Sequence, residues 1–320
     1  MALKKIIIYM PAFNEQDTIY KVLKSVPKMY DGFDEVELLV VNDGSIDKTE
    51  EEAINAGAKV ISHNHNQGVG KAFQTAVNYA LTHHAQVLVS IDADGQFDVN
   101  QIIEMITPIT EKLADFCTGI RFQQGKPENM PKVKYWGNNL VSHIVSFVSK
   151  TKIQDASCGF RAYNRDCLYN LNLQGDFTYT HETILDLLHK NYKISQIPVI
   201  VSYFDGRISR VANNILKYGF KTSTIIFKCL KDYKPLQFFL YIALFIFGLA
   251  IFSGGFVLLH WINNNSITPY KSIGIISLAL TGMSLLLTVY ALMADMLGRI
   301  RDNQEKILYF QKKTYFENNK

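Results

Sequence analysis

Two runs without a charged side chain, Leu236–Ile262 and Ile273–Ala294, constrain this chain more than any other feature. Only His260 within them can take up charge near neutral pH. At about 1.5 Å per helical residue, each run exceeds the roughly 30 Å hydrocarbon thickness of a bilayer. The polar loop between them, Asn263 to Lys271, is too short for a domain. A two-helix transmembrane hairpin is therefore expected. Buried core helices are the competing reading, and two uncharged runs of this length make it a poor one. Lysines 217, 221, 228, 231 and 234 precede the first run, and Arg299, Arg301, Lys306, Lys312 and Lys313 follow the second. The loop carries only Lys271. By the positive-inside rule, the soluble part and both termini are expected on the cytoplasmic side.

That hairpin divides the 320 residues into a soluble domain (1–210), a basic interfacial helical segment (211–235), the hairpin itself (236–298) and a basic cytoplasmic tail (299–320). The basic segment should rest on an anionic leaflet, each lysine contributing on the order of 1 kcal/mol. A net charge of +4 gives no reason to expect nucleic acid as a partner. Cys117, Cys158, Cys167 and Cys229 show no paired metal spacing, which suits a reducing compartment.

Within the soluble part, apolar strands alternate with helices. Lys5–Met10 reads as a first strand ending at Pro11-Ala12-Phe13-Asn14-Glu15. A helix follows, with Ile19, Val22, Leu23 and Val26 at helical spacing. Val36–Val41 is a second strand, closed by Asn42-Asp43-Gly44-Ser45. Glu50, Glu51 and Glu52 open another helix, where its dipole favours them. Lys59–Ser62 is a third strand, and Asn66 to Ala72 leads into a helix reaching about Thr82. Val87–Ile91 is the fourth strand. This alternation predicts an α/β fold, a doubly wound, mostly parallel sheet covered on both faces.

The fourth strand breaks at Asp92-Ala93-Asp94-Gly95-Gln96. Residues i and i+2 of a strand share a face, so Asp92 and Asp94 both look beyond its end. Hard divalent cations bind through one or two carboxylates plus substrate phosphates. The stretch is thus expected to hold such an ion, and the ion a nucleotide diphosphate. A polar turn would be the better reading of an isolated Asp-x-Asp. Acids and amides recur, however, at Asn14-Glu15, Asn42-Asp43 and Asp92–Asp94, all at strand carboxyl ends, where such sheets bind ligands.

These motifs, with Asn66-x-Gly68-x-Gly70-x-Ala72, resemble the successive signatures of glycosyltransferase family 2. The Asp-Ala-Asp-Gly-Gln form resembles its polyprenyl-phosphate sugar synthase branch, which includes dolichyl-phosphate mannose synthase. The resemblance implies a GT-A-type fold, a UDP- or GDP-sugar donor, Mg²⁺ or Mn²⁺, and inversion at the anomeric carbon. It implies nucleotide-sugar contacts from Pro11, Ala12, Asn14, Glu15, Asp43, Gly70, Lys71, Asp92 and Arg121. Asp92, Asp94 and Gln96 would surround the metal, with Asp94, Arg121 and Asp155 as the catalytic residues.

Further along, Asp115–Ile120 reads as a strand ending in Arg121, whose guanidinium suits either a phosphate clamp or a solvated surface. Val133–Val148 is amphipathic, with Trp136, Leu140, Ile144, Phe147 and Val148 on one side, and fits either core or a lipid surface. Asp155-Ala156-Ser157-Cys158-Gly159-Phe160-Arg161 resembles the family's acceptor-side signature, with Cys158 where that pattern has serine. The matching family aspartate is the usual candidate for general base. A phosphate monoester, however, has a second pKa near ~6, so a polyprenyl phosphate attacks without losing a proton, and Asp155 would then orient it. Glu182 matches a family glutamate near the acceptor, while His181 reads as structural. Gln196–Tyr203 is expected as a strand before Arg207-Ile208-Ser209-Arg210, which suits a phosphate or a solvated basic loop. The family places a basic element there, carried over to Arg207, Ser209 and Arg210.

The expectation is a membrane-anchored inverting glycosyltransferase using a polyprenyl phosphate acceptor, with homo-oligomerisation left open. One rival keeps the fold and uses a lipid-linked saccharide or polysaccharide hydroxyl. Another is a membrane-tethered nucleotide-sugar binder without catalysis.

Overall fold

A computed structural model describes residues 3–123, 125–127, 130, 132–172, 179–202, 224, 227, 231 and 233–318. Its chain divides into two units, Met1–Ser223 with Glu305–Lys320, and Thr224–Gln304.

The first unit is built on one seven-stranded sheet. Strands β1 (Lys5–Ala12), β2 (Glu35–Asn42), β3 (Lys59–Ser62), β4 (Val87–Ser90), β5 (Phe116–Ile120), β6 (Arg161–Asn164) and β7 (Ile194–Pro198) lie in the order β3-β2-β1-β4-β6-β5-β7. All pairs are parallel except those of β6, which runs antiparallel to both β4 and β5. Sequence reading does not anticipate β6. Its four residues begin with an arginine and lack an apolar run.

Strand alternation sends Ile6, Ile8, Met10, Val40 and Val89 to one face, against Ile19, Val22 and Leu23 of α1 (Ile19–Ser25) and Ile102, Met105 and Ile106 of α4 (Ile102–Thr110). Complete burial of each such side chain is worth about 1.5–3 kcal/mol. The opposite face is aromatic. Phe73 of α3 (Val69–Thr82) stacks on Tyr179 at 4.3 Å between centroids and lies 6.2 Å from Tyr9. The short α2 (Thr49–Asn55) joins β2 to β3.

Two boundaries move. Where a strand Gln196–Tyr203 is expected, β7 is Ile194–Pro198, because its register follows β5 from Phe116↔Ile194 to Ile120↔Pro198. Val199 N–H still donates to Ile120 O at 3.0 Å, and the pairing stops there because β5 ends at Ile120. In α5 (Lys132–Ser149), the buried seam is Asn138, Val141, Ser142, Val145 and Val148. Of the stripe expected on one side, Val148 joins this seam, whereas Trp136 and Phe147 are 68% and 67% exposed.

The second unit contains α8 (Pro235–Asn264) and most of α9 (Lys271–Asn318), after α6 (Arg165–Asn170) and α7 (Tyr179–His189) of the first. Both are long and apolar enough to cross a membrane. Only 17% and 11% of their most apolar windows are buried, unlike the core helices of a soluble protein. Small residues line their seam. Ser277 Oγ donates to Ala250 O at 2.8 Å, and one heptad on, Ser284 Oγ donates to Ala243 O at 2.9 Å. Such side chains let apolar helices approach closely and bond across the contact.

The basic segment from Arg299 continues α9 as far as Asn318. From Glu305 its residues belong to the first unit. Glu305 pairs with Lys190 at 2.8 Å, Tyr309 donates to Asp166 Oδ1 at 2.6 Å, and Lys312 reaches Leu171 O and Asn172 Oδ1. A chain cut at Lys234 therefore loses part of its soluble domain along with the hairpin.

Candidate active site

The carboxyl ends of β1, β2 and β4 carry the polar motifs, and loop contacts knit them together. Asn14 takes a left-handed backbone (φ 56°), which asparagine tolerates better than most residues. Its N–H donates to Ser45 Oγ at 2.9 Å, and its Oδ1 accepts from Ile46 N–H at 3.0 Å. Glu15 N–H donates to Thr49 Oγ1. Thr18 Oγ1 donates to Ala93 O at 3.0 Å, tying the start of α1 to the Asp92–Asp94 turn. Pro11 and Ala12 end β1, and Gly70 and Lys71 lie in the first turn of α3.

Asp94 Oδ1 accepts from Gln96 N–H at 3.0 Å, and Gly95 takes φ 73° to complete that turn. Gly159 lies against Asp92. A Cβ built there would stand 2.9 and 3.0 Å from the two carboxylate oxygens. The glycine of the Cys158-Gly159 motif thus leaves room for Asp92. Among the described residues no group of three or more His, Cys, Asp or Glu gathers, so no all-protein cage is present. Two carboxylates at one strand end nevertheless fit Mg²⁺ or Mn²⁺, whose remaining positions water and phosphate fill.

Asp43 is 4% exposed and heavily engaged, accepting from Gln67 N–H at 2.9 Å and Gly68 N–H at 2.8 Å. It braces the entry to α3, a role that its turn-like sequence did not reveal.

A second cluster surrounds Asp155, which is fully buried. Arg121 grips it in bidentate fashion, Nε to Oδ2 at 2.7 Å and Nη2 to Oδ1 at 2.9 Å. Arg121 N–H, Ser157 N–H and Asn138 Nδ2 also donate to it. Burial alone would raise the Asp155 pKa, but the guanidinium overrides this and holds the carboxyl below its usual range. Ser157 Oγ accepts from Arg121 Nη2 and donates to Asn138 Oδ1, so the serine one place early still joins the network. Asn138 went unnoticed in sequence because it lies inside α5, 17 residues before Asp155.

Arg161, also fully buried, holds the backbone around this cluster. It donates to Cys158 O, Ala156 O, Thr180 O and Thr183 Oγ1, joining the Asp155 loop to α7. Glu182 sits in the first turn of α7. Arg207, Ser209 and Arg210 lie outside the described residues. A cleft of about 830 Å³ opens beside Arg121, lined also by Ile120, Lys126, Pro198, Val199 and Ile200.

His181 is buried, and its Nδ1 has no hydrogen-bond partner among the described residues. Burial, then Arg161, lowers its pKa to about 4 against the small opposing pull of Asp155. Unfolding frees it to bind a proton below its ordinary value near 6.5, which the folded chain refuses until about pH 4. Stability from this group is therefore complete above pH 6.5 and declines as pH falls toward 4. Melting curves of the detergent-solubilised chain should show that decline, and His181→Phe should flatten it.

Comparison with known proteins agrees with this architecture. The family model for Glycosyl transferase family 2 matches residues 7–171, just over half of the chain. A UDP-N-acetylglucosamine–dolichyl-phosphate N-acetylglucosaminyltransferase of Methanococcus voltae is 30% identical, over 69% of this chain and 94% of that one. A dolichyl-phosphate hexose transferase of Haloferax volcanii is 29% identical, over 60% and 80%. Glucosyl-3-phosphoglycerate synthase of Mycobacterium tuberculosis, solved with UDP, shares the fold at a TM-score of 0.54 and 20% identity, over 71% of this chain and 79% of that one. With sheet, motif order and family match in agreement, this chain belongs to glycosyl transferase family 2, and its chemistry is glycosyl transfer.

Proposed function

We propose that the chain moves a sugar from a UDP- or GDP-sugar onto a polyprenyl phosphate at the cytoplasmic leaflet, with inversion. The observation that carries the acceptor class is the state of Asp155. Its oxygens already accept from Arg121, Ser157 and Asn138, and Arg121 holds it ionised. Such a carboxylate is a poor general base. An acceptor hydroxyl needs a base, whereas a phosphate monoester, with its second pKa near ~6, is already anionic at neutral pH. The names of the two archaeal relatives, both dolichyl-phosphate transferases, support this reading.

Donor binding falls to the loops after β1, β2 and β4, with Asn14, Glu15 and Asp43 toward the nucleoside. Pro11, Ala12, Gly70 and Lys71 would line the same edge. Asp92, Asp94 and Gln96 would hold Mg²⁺ or Mn²⁺, which supplies Lewis-acid neutralisation of the departing diphosphate. Asp155 acts as a pedestal. It fixes the Arg121 guanidinium beside the cleft, where Arg121 and Lys126 offer charge to a phosphate and Ile120, Val199 and Ile200 offer an apolar wall to an isoprenoid. Glu182, Arg207, Ser209 and Arg210 are assigned to the acceptor side. Two apolar helices, after which the chain rejoins its first unit at Glu305, support a hairpin whose ends share one side. Bringing a cytosolic donor and a lipid acceptor to one surface supplies proximity.

The test is incubation of the solubilised full chain with Mn²⁺, labelled UDP- and GDP-sugars and undecaprenyl phosphate. Labelled lipid is expected. In a parallel incubation with a lipid-linked saccharide, label appearing only on a saccharide hydroxyl overturns the acceptor assignment, and binding without transfer to either would favour the tethered binder. The rate should rise through about pH 6, where the acceptor ionises. Asp155→Asn should lower the plateau while keeping that inflection. An inflection abolished by the substitution would make Asp155 a true base.

A further inference from the structure

Asp43 stands at the same sheet edge as Asp92, at the end of β2. Its carboxylate takes three donors: His63 Nδ1 at 2.8 Å and Gln67 N–H on Oδ1, and Gly68 N–H on Oδ2. A carboxylate offers about four lone-pair sites, so among the described residues one on Oδ2 stays available to an incoming donor. His63 directly follows β3, and its own N–H donates to Asn42 O at 2.9 Å. Its Nε2 lies 3.0 Å from Thr75 Oγ1 on α3. With a carboxylate on one side, this order assigns the proton to Nδ1 and makes Nε2 the acceptor of the Thr75 hydroxyl. Nearby, Gly44 (φ 74°) presses on the His65 backbone so closely that a Cβ would stand 2.5 Å from His65 C. The loops after β2 and β3 are therefore locked into one wall, and the lock passes through His63.

We infer that His63, with its tautomer set by the Asp43 carboxylate and its Nε2 held by Thr75, is a positioning residue for the donor's nucleoside, holding Asp43 so that its last lone pair faces the site. This rests on the nucleotide-sugar reading above and adds two residues that the motifs do not contain. A histidine after a short strand and a threonine inside an amphipathic helix give no signal in sequence. They sit twelve residues apart, and only the fold joins Thr75 to His63 and His63 to Asp43.

The test is titration of the detergent-solubilised full chain with UDP and with GDP in the presence of Mn²⁺, together with steady-state transfer. His63→Leu removes both bonds and should weaken nucleotide binding about tenfold, with a matching rise in donor KM and kcat changed less than about twofold. His63→Asn retains a donor for Asp43 and should recover most of that loss. Thr75→Val should weaken binding about threefold. A merely structural strut would lower the melting temperature and leave nucleotide affinity alone, and that result in His63→Leu overturns the inference by itself. Should His63→Leu fail to fold, unchanged affinity in Thr75→Val overturns it equally. A wild-type chain that binds neither nucleotide overturns the donor reading, and this inference with it.

Discussion

Asp94→Ala should lower turnover by about 10²–10³-fold, the scale of losing one preorganised electrostatic contact to the developing charge. Asp94 Oδ1 accepts from Gln96 N–H two residues on, a bond local to the turn. Its loss should cost about 0.5–1.5 kcal/mol, so the variant remains folded. Calorimetric titration of Mn²⁺ in the presence of UDP should then show weakened metal binding, and higher Mn²⁺ should restore only part of the rate. Unchanged turnover with an intact fold would remove the ion site from the mechanism.

The largest stability effect is expected at Arg161. Arg161→Met removes a fully buried guanidinium and its bonds to Cys158 O and Ala156 O, while Thr180 O and the Thr183 hydroxyl keep each other. A buried acceptor without a partner costs about 1–3 kcal/mol. The cation's own desolvation offsets part of the total, leaving a loss of about 3–5 kcal/mol. Thermal melts in detergent measure it. Arg161→Lys should recover only a fraction, since an ammonium lacks the planar fork that reaches the Cys158 loop and α7 together. An unaltered melt would show that the loop and α7 hold without this bridge.

The two substitutions separate what was legible from what was not. Asp94 stands out in sequence because apolar run, carboxylate pair and glycine break occur within ten residues, and strand periodicity aims them. Arg161 closes the stretch that resembles the acceptor-side signature, but its burial arises only when β6 inserts between β4 and β5. Arg121 shows the same division. Its place at the end of β5 was readable, whereas its grip on Asp155, 34 residues away, was not. That distant pairing supports the proposed positioning role of Asp155 and with it the phosphate acceptor already expected.

Sequence by itself determined the parallel strands, the carboxylates at the end of β4 and the two membrane-length helices, because each follows from side-chain periodicity and solvation over neighbouring residues. Tertiary structure alone decided the antiparallel β6, the Asp155–Arg121–Asn138 network, the chain from Asp43 through His63 to Thr75, and the docking of the last turns of α9. A charged or polar side chain reads as solvated until the fold supplies its partner. Those partners lie 12 to 143 residues away, and local pattern carries no information about them.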